Sequence, residues 1–151
     1  MSRAILSFLS ALIIVFCIDQ YIKGIFLDGF RWYSEVFSLI LTYNKGVAFS
    51  MFSFLEGHLK YIQLALIGGL FLYLLIEKKV FRDFSMPIGL IGGAALSNVY
   101  DRFVHEGVVD YFFWHYGFEF AVFNFADVMI DLGVILIFYR SWKMAKEAKS
   151  T

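Results

Sequence analysis

Several polar residues lie within or beside long apolar stretches of this chain, and they are the residues that could do chemistry. They are Asp19, Lys23, Asn98, Asp101, Arg102, Asp110, Asn124, Asp127 and Asp131. A carboxylate at the centre of a membrane-spanning helix costs about 2.5–3.5 kcal/mol on insertion scales, so a functional role is the default expectation for such a group. Two neighbouring carboxylates that share a proton can activate water and polarise a carbonyl group. Aspartates are the only acid–base groups with this potential among the residues named above, and such carboxylate chemistry favours hydrolysis of a peptide bond.

The composition places these residues in a membrane protein. Of 151 residues, 60% are hydrophobic and 17% are charged, with a mean hydropathy of +0.72, whereas typical soluble domains are about 45–50% apolar and about 25% charged. The formal net charge is zero, which gives no electrostatic reason to expect a nucleic-acid partner. The single cysteine excludes an internal disulfide, and the three histidines lack metal-ligand spacing. We therefore predict no metal and no cofactor.

The apolar stretches predict four transmembrane helices at about 4–27, 59–77, 84–103 and 121–141, because a span needs about 20 mostly apolar residues. Four such stretches in 151 residues leave too little polar sequence to cover them in a soluble core. The fold class predicted is an all-α membrane protein, with residues 1–151 forming a single integral membrane domain.

The basic residues predict the orientation of these helices. Eight of the thirteen Lys and Arg residues lie in the first three positions, in 77–83 and after position 139. Cytoplasmic loops carry an excess of Lys and Arg, so both termini are predicted to be cytoplasmic and the segments at about 28–58 and 104–120 to face outside. The polar residues of helices one, three and four, together with Asp110, then fall in one layer near the outer face.

The outer segments are too aromatic to be ordinary loops. The run from Ser38 to Tyr43 is typical of a strand, and Asn44-Lys45-Gly46 is typical of a turn. We predict a small extracytoplasmic β-cradle followed by an interfacial helix. Within helix three, Gly89, Gly93 and Ser97 recur every four residues and predict a close helix–helix contact.

Each polar residue also has a purely structural interpretation. Asp19 and Lys23 have the i,i+4 spacing of a helix ion pair, which is the interpretation we favour for them. Asn124 and Asp127 have the spacing of a capping box at the start of a helix. Asp131 lies one turn deeper than Asp127, and either a proton relay or a polar contact inside the bundle would explain it.

At these residues the chain resembles the lipoprotein signal peptidases, also called type II signal peptidases. The resemblance covers essentially the whole chain and rests on five motifs in the family's order. They are Asp19-Gln20-x-x-Lys23, Asn44-x-Gly46-x-Ala48-Phe49, Gly92-Gly93-Ala94 with Asn98-x-x-Asp101-Arg102, Gly107-Val108-Val109-Asp110-Tyr111, and Phe123-Asn124-x-Ala126-Asp127. Ser97 replaces a glycine that is usual in the family, and Ala121-Val122 stands where a proline is common.

The resemblance implies an intramembrane aspartic endopeptidase with Asp110 and Asp127 as its catalytic dyad. It assigns substrate binding or support to a second set of residues and a structural polar role to Asp19 and Lys23. The second set is Asn44, Gly46, Asn98, Asp101, Arg102 and Asn124. The implied substrate is a diacylglyceryl-modified prolipoprotein, cut just before its lipidated cysteine.

The resemblance further implies a multi-pass protein of the bacterial cytoplasmic (inner) membrane, in contact with membrane lipid. The active site would lie near the outer face and bind cyclic peptide inhibitors of the globomycin type. Nothing in the sequence requires more than a monomer. A small proton-coupled transporter, motivated by Asp131, is the alternative, although no internal repeat is visible. A non-enzymatic membrane assembly factor is a third hypothesis, motivated by the small-residue face of helix three.

Overall fold

The computed structural model describes residues 1–46 and 55–149, with the backbone alone for residue 56. Within these ranges the chain forms four α-helices and three β-strands. In chain order they are α1 (Ser2–Leu27), β1 (Trp32–Tyr33), β2 (Phe37–Asn44), α2 (Glu56–Ile76), α3 (Lys78–Val104), β3 (Val108–Trp114) and α4 (Phe125–Lys149). The mainly helical fold with a small sheet agrees with the predicted fold class.

Two helices of the described chain are long and apolar enough to cross a membrane by length and composition. They are Ser2–Leu27, with a mean hydropathy of 2.1, and Gly57–Ile76, with a mean hydropathy of 1.9. α3 and α4 are similarly long, but they carry most of the polar residues singled out in the sequence. By this criterion the structure supports two of the four predicted spans, those of α1 and α2.

Two helix boundaries differ from the sequence prediction by more than three residues at their start. α3 begins at Lys78 instead of about 84, and Phe84 has non-helical backbone angles (φ −123°, ψ 18°) that mark a kink. This kink lies three residues before Pro87, whose ring clashes with the carbonyl group four residues earlier. α4 begins at Phe125 instead of 121 because Phe123 forms an antiparallel bridge with Phe112.

The end of α4 also differs, since the helix continues to Lys149 and not to about 141. The sequence prediction ended it where charged residues begin. Lys, Glu and Ala are strong helix formers, so the helix extends beyond its apolar part.

The sheet has the order β1-β2-β3 with antiparallel neighbours. β2 confirms the strand predicted at Ser38–Tyr43. Its register with β3 shifts between Leu39 and Thr42, so that Thr42 lies opposite Asp110; such a bulge bends and twists a strand. β3 was not predicted, and the interfacial helix predicted after the sheet falls largely on residues 47–54, outside the described residues.

α1 and α3 pack closely through the small-residue face that the sequence predicted. A Cβ atom built on Gly89 would lie 2.5 Å from the carbonyl oxygen of Phe8, and one built on Gly93 would overlap the carbonyl oxygen of Leu12. Backbone atoms of α1 therefore occupy the space that larger side chains on α3 would need. This contact brings the polar ends of the two helices together.

We expect Gly93→Leu to lower the free energy of unfolding by about 1–3 kcal/mol, the usual cost of overpacking, because the atoms it meets are backbone and cannot rotate away. Thermal unfolding of the purified protein in detergent micelles measures the change. Gly68→Leu is the matched control, since a Cβ atom there has no neighbour within 4 Å. Equal unfolding temperatures for the two variants would contradict the assigned helix contact.

Candidate active site

A buried ion cluster joins α1 to α3. The Lys23 ammonium nitrogen lies 2.5 Å from Asp19 Oδ2 and 2.7 Å from Asp101 Oδ2, and it donates to Asn98 Oδ1 at 2.8 Å. Asp19, Lys23 and Asp101 are all 0% exposed. The predicted Asp19–Lys23 ion pair is confirmed, but sequence spacing alone did not reveal that Asp101 shares the same ammonium group.

The two carboxylates of this cluster also accept backbone hydrogen bonds from the segments that carry the predicted catalytic residues. Asp101 Oδ2 accepts from the Val109 N–H at 3.1 Å, next to Asp110. Asp19 Oδ1 accepts from the Ala126 N–H at 2.9 Å, next to Asp127. The ion cluster therefore positions β3 and α4 at once.

The first turn of α4 is capped by side chains from three parts of the chain. The Phe125 N–H donates to Tyr111 Oη at 2.9 Å, and Ala126 is held by Asp19. The Asp127 N–H donates to Asn124 Oδ1 at 3.0 Å, while the Asn124 N–H donates to Asp127 Oδ2 at 3.1 Å. This reciprocal pair is a capping box, as one interpretation of the spacing predicted, and it fixes the Asp127 carboxylate at the helix start.

Asparagine side chains connect Asp110 and Asp127. Asn124 Nδ2 donates to Asp110 Oδ1 at 2.7 Å, so Asn124 contacts both aspartates. Asn44 Nδ2 donates to Asp110 Oδ2 at 3.0 Å, and Asn98 Nδ2 donates to Asp127 Oδ1 at 3.2 Å. Each carboxylate therefore has donors on both oxygens, which restricts its orientation.

The electrostatic environment of Asp110 favours retention of a proton. Burial, followed by the nearby negative charge of Asp127, raises the pKa of Asp110 to about 7, while the hydrogen bonds from Asn44 and Asn124 and the charge of Lys23 oppose this shift. Two like charges at one site do not both ionise easily. At neutral pH the pair can thus hold one acidic proton beside one carboxylate.

Arg102 holds the end of β2 against α3 and α2. Its Nη1 donates to the Asn44 carbonyl oxygen at 3.2 Å, and its Nη2 donates to the Gly46 carbonyl oxygen. Its Nε donates to Gln63 Oε1 at 2.8 Å. Two nitrogens of the guanidinium group therefore hold the Asn44 turn, whose side chain contacts Asp110, and the third holds Arg102 to α2. Gln63 was missed in the sequence, although its polar side chain within the apolar run 61–76 was a usable signal.

Ser97 and Gln20 add further hydrogen bonds to the two carboxylates of the buried ion cluster, Asp19 and Asp101. Ser97 Oγ donates to Asp19 Oδ2 at 2.7 Å. Gln20 Nε2 donates to Ser97 Oγ at 2.8 Å and to Asp101 Oδ1 at 2.7 Å. The serine that departs from the family pattern therefore does more than fill space, because its hydroxyl group satisfies a buried carboxylate oxygen.

A cavity of about 560 Å³ opens onto the two aspartates. Its polar lining is Asn44, Gln63, Asn98, Arg102, Asp110, Asp127 and Asp131, and its apolar lining is Val108, residues 120–123, Val128 and Ile130. Asp19, Lys23 and Asp101 do not line it, and the binding or support role of Asp101 stays a prediction. Of the substrate-binding or support residues predicted, Asn44, Asn98 and Arg102 line the cavity, whereas Gly46 and Asn124 contact residues that do.

The lining of the cavity combines apolar walls with a group of polar side chains. Pockets of roughly 300–1,000 Å³ with a few convergent polar groups are typical ligand sites. Within residues 1–46 and 55–149, no group of three or more His, Cys, Asp or Glu residues is placed to hold a metal ion. Paired carboxylates with a shared proton are equipped for general acid–base hydrolysis.

Comparisons with known proteins identify the family. The sequence profile of signal peptidase (SPase) II matches residues 11–143. A protein of Wolinella succinogenes named lipoprotein signal peptidase is 53% identical over 142 residues, which cover 94% of this chain and 97% of that protein. A protein of the same name from Sulfurimonas denitrificans is 57% identical over 129 residues, covering 85% and 83%.

A solved structure agrees with the sequence matches. It is described as a bacterial membrane enzyme, determined by the in meso method at 2.3 Å resolution, and it superposes with a TM-score of 0.77 at 25% identity. The superposition covers 97% of this chain and 92% of that chain. The chain therefore belongs to the signal peptidase II family, whose members cleave the signal peptides of prolipoproteins.

Proposed function

We propose that this protein is an aspartic endopeptidase that cuts diacylglyceryl-modified prolipoproteins just before the lipidated cysteine. The observation that carries the proposal is the pairing of Asp110 and Asp127 in one cavity, connected through Asn124. Asp110 is 2% exposed, and its pKa of about 7 keeps a proton available at neutral pH. An acid beside a base is what hydrolysis of an amide bond by water requires.

In this mechanism Asp127 is the base and Asp110 is the acid. The Asp127 carboxylate lies in the first turn of α4, where the helix end carries partial positive charge, and accepts two N–H hydrogen bonds. It takes a proton from a water molecule, whose oxygen attacks the carbonyl carbon before the cysteine. Asp110 gives its proton to the carbonyl oxygen. Collapse of the tetrahedral intermediate breaks the C–N bond. The proton on Asp127 goes to the amine that leaves, and one hydroxyl proton of the intermediate returns to Asp110 as the carboxyl group of the product forms.

We propose that all four helices span the bacterial inner membrane, with both termini cytoplasmic. The exposed apolar side chains of α4 support this, because Ile135 is 61% and Phe138 is 71% exposed and a soluble protein seldom leaves such groups uncovered. The polar layer lies at the ends of α1, α3 and α4 opposite to the basic segments. The cut site of a signal peptide inserted with its N-terminus inside would reach that layer.

The cavity also supports two proposals about its occupants. Apolar wall segments at 120–123 beside Asp110 and Asp127 fit an apolar signal peptide with its scissile bond at the carboxylates. Cyclic peptide inhibitors of the globomycin type would occupy the same space.

The direct test uses purified protein and a synthetic prolipoprotein segment with or without the diacylglyceryl group on its cysteine. We expect cleavage of the lipidated segment at the bond before the cysteine, identified by the masses of both products. The unlipidated segment should be cut much more slowly. Cleavage at another bond, or equal rates for the two segments, would contradict the proposed specificity.

The pH dependence of cleavage tests the shared proton. Below pH 7 Asp110 holds its proton, and above pH 7 it loses that proton, so it can no longer act as the acid. We expect kcat/KM to fall about tenfold per pH unit on the alkaline side, with an apparent pKa near 7 that belongs to the pair. Full recovery after return to pH 6.5 separates titration from denaturation. A constant kcat/KM up to pH 9 would exclude Asp110 as the acid.

A further inference from the structure

A second cavity, of about 340 Å³, lies at the other end of the molecule from the aspartates. It is a groove between the start of α1, the end of α2 and the start of α3. Phe8 and Leu74 form its floor and are both 6% exposed, whereas Leu9, Phe71 and Leu75 form its sides and are 44%, 49% and 59% exposed. The groove is thus apolar, open at the surface and walled by three different helices.

One cation lines this apolar groove, and a second follows it one helical turn along α3. Lys78 is part of its lining, and Arg82 lies four residues further along α3, on the same helix face. Neither has an ion-pair partner among the residues that the structure describes. Lys79 differs, because its ammonium nitrogen lies 2.8 Å from Asp83 Oδ2. The segment 77–83 has three cations and two carboxylates, so its net charge is positive.

We propose that this groove binds an anionic phospholipid, with an acyl chain along Phe71 and Leu75 and the phosphate group at Lys78 and Arg82. An apolar groove with one cation in its lining, and a second cation one helical turn away on the same helix face, matches a ligand with an apolar tail and an anionic head. A neutral zwitterionic lipid would satisfy the apolar walls equally well, but it would gain less at the two cations. The groove shares no residue with the aspartate cavity, so lipid binding here is a separate property from peptide cleavage.

Native mass spectrometry of the purified protein with phosphatidylglycerol or phosphatidylcholine of identical acyl chains tests the proposal. We expect the wild-type protein to retain phosphatidylglycerol preferentially. The double variant Lys78→Gln, Arg82→Gln should lose affinity for phosphatidylglycerol by roughly fivefold for each cation removed, with no change for phosphatidylcholine.

Arg140→Gln combined with Lys149→Gln is the matched control, because it removes two exposed cations of α4. An equal loss in this control would show diffuse attraction to a basic surface and would overturn the proposed site. Leu75→Trp tests the apolar half with both cations intact, and its exposed position makes the substitution compatible with folding. It should weaken retention of both lipids. Undiminished retention by Leu75→Trp would equally overturn the groove as the binding site.

Discussion

Replacing either aspartate of the dyad should abolish cleavage while leaving the protein folded. We expect Asp110→Asn and Asp127→Asn each to lower kcat by at least about 10³-fold, because groups that act as a unit in hydrolysis are individually indispensable. An asparagine retains the size and the hydrogen-bonding oxygen of aspartate, but it neither takes a proton from water nor gives one to the carbonyl oxygen. KM should change little, since water activation is needed only in the transition state.

Asp131→Asn is the matched comparison for these two variants. Asp131 is a third carboxylate of the same cavity, one helical turn beyond Asp127, so the substitution makes the same chemical change. We expect this variant to keep kcat within about tenfold of wild type, the range of an indirect electrostatic effect. Full cleavage by Asp127→Asn would remove the dyad assignment. A proton flux in liposomes that Asp131→Asn abolishes would favour the transporter alternative instead.

The largest effect on stability should come from Lys23→Met. This substitution removes the ammonium group shared by Asp19 and Asp101, and both carboxylates are completely buried. Removing one partner from a buried ionic cluster costs about 3–5 kcal/mol, because the remaining charges have no compensation. The thermal unfolding midpoint in detergent micelles should fall accordingly. Methionine matches the unbranched shape of lysine, which keeps packing changes small.

Lys79→Met is the control for the loss of a lysine ion pair. The Lys79 ammonium nitrogen lies 2.8 Å from Asp83 Oδ2, a distance similar to those in the buried cluster, but the Lys79 side chain is 72% exposed. Exposed ion pairs contribute only about 0–1 kcal/mol to the free energy of unfolding. The two variants thus separate burial from ion-pair geometry. If Lys23→Met were no more destabilising than Lys79→Met, the buried cluster would not be what holds β3 and α4 in place.

The helices could be predicted from the sequence because their signal is local and strong. α1 and α2 combine long apolar runs with few charges. The period-four pattern of Gly89 and Gly93 predicted a close contact of α3 with another helix, and the structure identifies that helix as α1. β3 carried a weaker signal. The first four residues of β3 are all buried, on both faces of the sheet. The alternation of apolar and polar residues that identifies a half-buried strand is therefore missing. The run of β-branched and aromatic residues was the signal that could have revealed it.

The residue types and order of the site were determined by the sequence alone. The resemblance of its motifs to the type II signal peptidases implied Asp110 and Asp127 as the catalytic pair. Spacing alone indicated Asn124 as a cap and Asp19 with Lys23 as an ion pair, because helix periodicity is a property of neighbouring positions. The division of basic residues between segments likewise supplied the predicted orientation.

Only the tertiary structure decided what joins these groups. Asp101 meets Lys23 across 78 positions of the chain, Asp19 caps α4 across 107, and Arg102 supports the Asn44 turn across 58. Such contacts depend on how close α1 and α3 approach and on the register of β2 with β3, which no local pattern encodes. A buried carboxylate needs a partner, but the sequence does not say which one. The fold makes that choice, because only packing determines which charges share the same water-free space.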